Sequence, residues 1–446
     1  MQVSSRSLSV ETGPPGERRA EYRRVLFSSY LGTTIEFYDF LLYGTAAAIV
    51  FPAVFFSGLD EFTGLLFSLG TFAAGYLARP IGGVIFGHYG DRIGRKKMLV
   101  VTMLVMGVAS FLIGLVPSAA VIGGWAAVIL VLLRVAQGIA VGGEWGGAAL
   151  MALEHSGGEK RGFAASFVNA GAPSGAVLGS LMLGLFSLLP QEQFLSWGWR
   201  IPFLLSAVLL LLGLWVRSQV SESPVFQAAL AEAEAQEQTR ESLPLLSVLR
   251  RPKALILTTL GACAAFAFQV TMATFAQAYA LQHGATRPQV LLGFAVASFL
   301  AIFGVLLAGR LSDRFGRRPV LVVGIVGWAA LAFPMFALWG SGNALLITLG
   351  FVIGLQFQSL TYGPLGAFIS EQFGTKARYT GASLGYQLAT LLGGGFTPGI
   401  LAALARNSGG DIAPVAIFLI AMGVISTIAV LTIREGRHND LHTVEH

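Results

Sequence analysis

Short polar punctuation divides the chain into about twelve apolar runs, and a helix needs roughly 20 such residues to cross the hydrocarbon core of a bilayer. The runs predict spans at 25–54, 62–88, 98–117, 121–153, 162–189, 199–218, 254–282, 288–309, 320–340, 343–370, 379–404 and 412–433. That pattern restricts the fold to an all-α polytopic membrane protein with twelve transmembrane helices. Composition agrees: of 446 residues, 54% are hydrophobic and 12% charged, against about 25% charged in an ordinary soluble domain. Runs longer than the minimum imply tilt or overhang. Residues 1–24, with Arg18, Arg19, Glu21, Arg23 and Arg24, are too polar for a signal peptide.

The basic residues set the orientation. Of the 29 lysines and arginines, only Arg200, Arg287 and Arg406 fall in loops on the second side of the membrane, and Arg79 and Arg134 fall inside spans. All the others lie on the side of the amino terminus, so the positive-inside rule predicts both termini in the cytoplasm. The net charge of +6 therefore reports topology and not nucleic-acid binding. One cysteine, Cys263, excludes an internal disulfide and a cysteine metal site, and the six histidines show no ligand spacing. No Gly-Lys dipeptide occurs, so the chain lacks the phosphate-cradling loop of an ATP-driven pump.

Residues 87–100, GHYGDRIGRKKMLV, and 309–322, GRLSDRFGRRPVLV, repeat one another at Gly87/Gly309, Asp91/Asp313, Gly94/Gly316 and Arg95/Arg317. Glu154 and Arg161 are matched at the same spacing by Glu371 and Arg378. The natural parse is a cytoplasmic segment 1–24, a six-helix bundle 25–218, a cytoplasmic loop 219–253, a second bundle 254–433 and a tail 434–446. The loop sequence AALAEAEAQEQTRE reads as surface helix, and the tail has no heptads.

The doubled Gly-x-x-x-Asp-Arg-x-Gly-Arg loop, together with LLRVAQGIAVGG at 132–143, resembles the signatures of the major facilitator superfamily. IEFYDF at 35–40, VGGEWGGAALMALEH at 141–155, GWRIPF at 198–203 and ESPVF at 222–226 resemble its metabolite:proton symporter branch, and within it shikimate and dicarboxylate transporters. The resemblance implies two six-helix bundles around a central cavity lined by spans 1 and 4, an inner-membrane location and a monomeric carrier. It implies a small-molecule organic acid as substrate, a proton as coupling ion and no cofactor. It does not point to an enzyme.

Charges inside the spans are costly, roughly 2.5–3.5 kcal/mol each at the bilayer centre, so each needs a partner, a wet cavity or a changed protonation state. On a helix Glu36, Asp39 and Tyr43 lie within about 60° of one another and can share one interior groove. Span 4 offers Gln137 and Glu144, with Arg134 nearby. Given the cavity that the resemblance implies, Asp39 and Arg134 are expected to form the coupling pair, with Glu36 and Glu144 as alternative or relay carboxylates. A purely structural salt bridge is the plainer alternative. Arg79, before Pro80, either binds an anionic substrate group or satisfies carbonyls that the proline frees.

Substrate-binding candidates elsewhere are Asn169, Gln269, Gln358, Tyr362 and Tyr386, with Tyr43 and Gln137; helix-to-helix hydrogen bonding is their alternative role. Asp91 and Asp313 are placed to accept from helix-start N–H groups, and Arg95 and Arg317 to pair with acids across the halves, such as Glu154 or Glu371. With Arg161 and Arg378 these residues resemble the latches that hold the cytoplasmic side of this family shut. Gly138, Gly142 and Gly146 in span 4, and Gly83 and Gly87 in span 2, predict close helix packing. A proton-coupled proline or betaine carrier and a proton-independent facilitator are the competing readings. The short tail without a coiled coil counts against the osmolyte carrier.

Overall fold

The structure, a computed structural model, describes residues 15–93, 95–142, 161–218, 252–373 and 378–437, together with Val248. In chain order the spans are α1 (Pro15–Ile49), α2 (Glu61–Ile93), α3 (Arg95–Leu115) and α4 (Trp125–Gly142). Then follow α5 (Arg161–Phe186), α6 (Gln191–Val216), α7 (Pro252–Gln282) and α8 (Arg287–Phe315). The last four are α9 (Arg317–Ala330 with Ala332–Trp339), α10 (Ala344–Ser370), α11 (Thr380–Asn407) and α12 (Ala413–Thr432). Among the described residues eight of these are long and apolar enough to cross a membrane, and α9, bent by 53°, makes a ninth. Helices α1 and α2 carry the buried charges Glu36, Asp39 and Arg79, and α3 contributes the apolar stretch Val100–Leu115.

Burial separates central helices from peripheral ones: 78% of the apolar window of α7 is enclosed, against 33% for α6 and 39% for α12. The exposed faces carry Leu, Ile, Val and Phe, as lipid contact requires. Large side chains fill the interior, with Trp199, Trp328, Trp339, Phe51, Phe72 and Phe194 fully enclosed.

Glycines set the tightest crossing, that of α2 with α4. A Cβ on Gly138 would stand 2.1 Å from the Gly75 carbonyl oxygen, one on Gly142 2.0 Å from that of Arg79, and one on Gly82 1.8 Å from that of Ile139. The partner of α4 is therefore Gly82 and not Gly83, whose added Cβ would meet only the Gly142 carbonyl at an ordinary 3.5 Å. The neighbouring glycines point about 100° apart on the helix, and apolar patterning does not say which of them faces α4. Because backbone atoms are in the way, Gly138→Ala is expected to destabilise the protein at the top of the ~1–3 kcal/mol range for overpacking, or beyond it. A lowered melting temperature in detergent checks this; an unchanged one means that the helices separate freely.

The repeated loop is explained by its second copy. Gly309 brings α8 against α5, where an added Cβ would lie 2.1 Å from Ser166 Oγ. Gly316 turns the chain between α8 and α9 at φ 101°, a conformation side chains resist.

The two bundles touch at both ends. At the face carrying the repeated loops, here the basic face, the backbone N–H groups of Gly162 and Phe163 donate to Asp313, each at 2.8 Å, and Arg310 lies 4.7 Å from the Phe163 ring. At the opposite face Arg406 lies 4.1 Å from the Phe62 ring, and Arg287 lies 5.3 Å from that of Phe194. Arg200 donates to the carbonyls of Gly114 and Val116 at the end of α3. The three arginines that stand against the positive-inside pattern are thus each engaged: one closes a helix, and two bridge the halves. Asp60 at the start of α2, whose charge reaches Arg406, is held below the usual carboxylate range by the hydroxyl and amide of Thr63.

Candidate functional site: a buried arginine and aromatic centre

At the middle of the molecule Phe40 of α1 lies between two guanidiniums, Arg79 at 4.3 Å and Arg134 at 4.5 Å from its ring centroid. Arg134 also lies 4.2 Å from the Tyr43 ring and 5.0 Å from Phe72, and Arg79 lies 4.4 Å from Tyr76. All six side chains are buried. Gly75 leaves the room that Arg134 occupies, since a Cβ there would sit 2.6 Å from Arg134 Nε. The rings continue into the second half: Phe37 meets Tyr362 at 6.3 Å, Tyr362 meets Phe266 at 6.3 Å, and Phe266 meets Tyr386 at 4.9 Å.

Ring faces satisfy only part of a guanidinium. Arg79 Nε and Arg134 Nε and Nη2 have no hydrogen-bond partner. Among the described residues the ion pairs are those of Arg317, and neither central arginine pairs with a described carboxylate. Among the described residues no hydrogen bond joins Arg79 to a carbonyl freed by Pro80; its guanidinium lies against the two rings.

Asp39 and Arg134 do not form the ion pair expected from the sequence. The Ser206 hydroxyl of α6 donates to Asp39, and Ser110 of α3 lies against the same carboxylate. Arg134 Nη1 instead donates to Gln137 Oε1 at 3.1 Å, and Gln137 Nε2 donates to Ser110 Oγ at 2.7 Å. Arginine has only donors, which fixes the Gln137 amide with its oxygen toward Arg134 and its nitrogen toward Ser110. A donor chain thus runs from Arg134 through Gln137 to Ser110, which lies beside Asp39.

Nor do Glu36, Asp39 and Tyr43 share one groove. Asp39 faces α3 and α6, Tyr43 donates to Thr71 Oγ1 of α2 at 2.7 Å, and Glu36 lies within electrostatic reach of Tyr362 and Tyr386 in the other half. Because α1 is enclosed on nearly every side, a turn of about 60° changes the neighbour.

Asn169 donates to the Tyr362 carbonyl at 2.9 Å, so its amide joins the halves. Gln269 is half-buried and makes no side-chain hydrogen bond among the described residues, and Gln358 is buried with Nε2 unpartnered. Glu144 and Glu154 lie outside the described residues, as do the side chains of Asp91, Arg95 and Arg378. Arg317 binds Asp313 at 2.7 Å and Glu371 at 3.2 Å, all within its own half; the link across the halves is Asp313 at the start of α5, with Arg161 in electrostatic reach of Glu371. Asp313 is the group that an unfilled helix start attracts, and Arg317 positions it.

Several residues of these networks went unread in the sequence. Tyr76 carries a signal in hindsight, three positions before Arg79 and so on the same helical face. Ser110 and Ser206 are single serines in apolar runs and carry none. Glu435 accepts from the N–H groups of Arg317 and Arg318, both at 3.0 Å, capping α9 from the tail. One apolar recess of about 360 Å³, lined by Phe56, Phe67, Gly70, Thr71, Val128 and Leu132 among others, opens on the outer surface. Among the described residues no three His, Cys, Asp or Glu side chains are grouped to hold a metal.

Two helical bundles closed over incompletely paired buried cations have the form of a membrane carrier. The family model of the Major Facilitator Superfamily matches residues 27–382 and 257–444. The inner membrane metabolite transport protein YhjE of Escherichia coli K12 is 42% identical over 430 residues, covering 94% of this chain and 95% of the relative. The shikimate transporter of the same organism is 39% identical, covering 93% and 95%. The proline/betaine transporter of Salmonella typhimurium is 34% identical, covering 94% and 85%. Among solved structures, a D-xylose-proton symporter superposes with a TM-score of 0.74 over 94% of this chain and 99% of that one, at 20% identity. The chain belongs to the major facilitator superfamily: it is a multi-pass membrane transporter, in a family of carriers and not of enzymes.

Proposed function

We propose that this transporter imports a small organic acid, shikimate-like or a dicarboxylate, together with a proton, and needs no cofactor. The observation that carries the reading is the pair of guanidiniums on Phe40, with Arg79 Nε and Arg134 Nε and Nη2 unpartnered. A buried cation without an acceptor is costly, and a substrate carboxylate supplies acceptors in the geometry a guanidinium fits. The relatives named for metabolite and shikimate transport support the substrate class.

The donor chain supports the coupling. Arg134 donates to Gln137 and Gln137 to Ser110, whose hydroxyl lies beside the Asp39 carboxylate. Protonation turns one acceptor oxygen of Asp39 into a donor, lets the Ser110 hydroxyl turn, and so alters the hold on Gln137 and Arg134. Proton and substrate thereby act on the same guanidinium without a direct Asp39–Arg134 pair. Alternating access follows if the contacts at the two faces open in turn, the basic face being cytoplasmic.

Uptake by reconstituted vesicles tests this, using shikimate, succinate, proline and glycine betaine with and without an imposed pH gradient. Gradient-driven accumulation of an acid is expected. Accumulation of proline or betaine alone favours the osmolyte reading, and equilibration without accumulation favours a facilitator.

A further inference from the structure

Gln277 is the anomaly of the second half. It lies in the last stretch of α7, Ala276–Gln282, just beyond the π-helical turn Thr271–Phe275. Its side chain is fully buried, and neither Nε2 nor Oε1 has a hydrogen-bond partner. An amide has one acceptor and two donors, and a leucine or methionine would fill the same space without leaving them unmet.

Its neighbours locate it. One turn earlier on α7, Ala273 accepts from Thr45 Oγ1 at 3.4 Å, and a Cβ on Gly44 would touch the Thr274 methyl at 3.4 Å. Gly44 and Thr45 directly follow Tyr43, whose ring lies under the Arg134 guanidinium. Gln277 therefore stands one turn beyond the α1–α7 seam that adjoins the ring under Arg134, on the side away from the basic face. On α10, Gln358 sits one turn from Tyr362 on the same face, displaced in the same direction, and its Nε2 is also unpartnered.

Resting on the organic-acid reading, we infer that Gln277, with Gln358, reads hydroxyl groups of a substrate whose carboxylate is held by Arg79 and Arg134. Gln277 Oε1 demands a donor from the ligand and Nε2 an acceptor, and a hydroxyl supplies both. A betaine, with a quaternary nitrogen and no N–H or O–H, has no donor to give. The amide is a specificity-determining group: it discriminates hydroxylated acids from bare ones.

The test compares shikimate with cyclohex-1-ene-carboxylate, its hydroxyl-free analogue, in proton-driven uptake by vesicles. The wild type is expected to prefer shikimate by about 100-fold or more in kcat/KM. Gln277→Met should raise the KM for shikimate by about 10- to 100-fold, leave the analogue unchanged, and keep or raise the melting temperature of the substrate-free protein. Gln277→Asn, with the same groups set one methylene back, should fall between. An unchanged preference in both variants, or a lowered melting temperature with both acids affected equally, overturns the inference and makes Gln277 a packing residue. If the wild type takes up neither acid, the organic-acid reading fails, and this inference falls with it.

Discussion

Asp39→Asn is expected to abolish proton-driven accumulation while substrate exchange across vesicles persists. Asparagine is close in shape, still accepts from Ser206 and resembles the protonated carboxyl, so the bundle should fold with its donor chain permanently released. Substrate then binds and crosses in both directions without being tied to a proton. Gln137→Leu should give the same uncoupling by another route, because it breaks the step between Arg134 and Ser110 and leaves Asp39 itself intact. Both are read by loading vesicles with labelled substrate and comparing counterflow with uptake under a pH gradient. Intact accumulation in Asp39→Asn would pass the proton to Glu36 or Glu144.

Arg79→Ala should cost more. Of the two central arginines Arg79 is the one whose charge is felt by Tyr362 and Tyr386 of the opposite bundle, which puts it at the seam where the proposed substrate would bridge the halves. Truncating one member of a buried charged contact costs about 2–5 kcal/mol, which is roughly 30- to several-thousand-fold in affinity. Arg79→Lys keeps the charge and loses the planar fork, so a smaller loss of about tenfold is expected. The measurement is KM for the transported acid alongside its inhibition by other carboxylates. Equal KM values in wild type and Arg79→Ala would remove this arginine from the substrate site and leave it as a packing partner of Phe40.

The sequence makes the spans legible because lipid demands apolar length, and the repeat makes the two halves legible because identical loops mark identical positions. It also singles out Asp39, Arg79 and Arg134, since a charge inside a span must be answered for. What it leaves open is which neighbour answers. Position along a helix fixes an angle, whereas Asp39 reaching Ser206 and Glu36 turning toward Tyr362 depend on which helices surround α1 at that height. The same limit hides Gly82 behind Gly83, and lets Arg317 be sought across the halves when its partners Asp313 and Glu371 lie in its own. Gln277 is illegible for a further reason: an amide without a partner looks no different in a sequence from one that has found its bond.

The two ends of the molecule are fastened by different chemistry. On one side carboxylates hold N–H groups and guanidiniums; on the other, Arg287 and Arg406 rest on rings. Rings and guanidiniums do not titrate in any ordinary medium, and Asp60 beside them resists neutralisation. With the orientation proposed above, the outer door rests on contacts that external acid leaves unchanged, while the inner door is built from carboxylates.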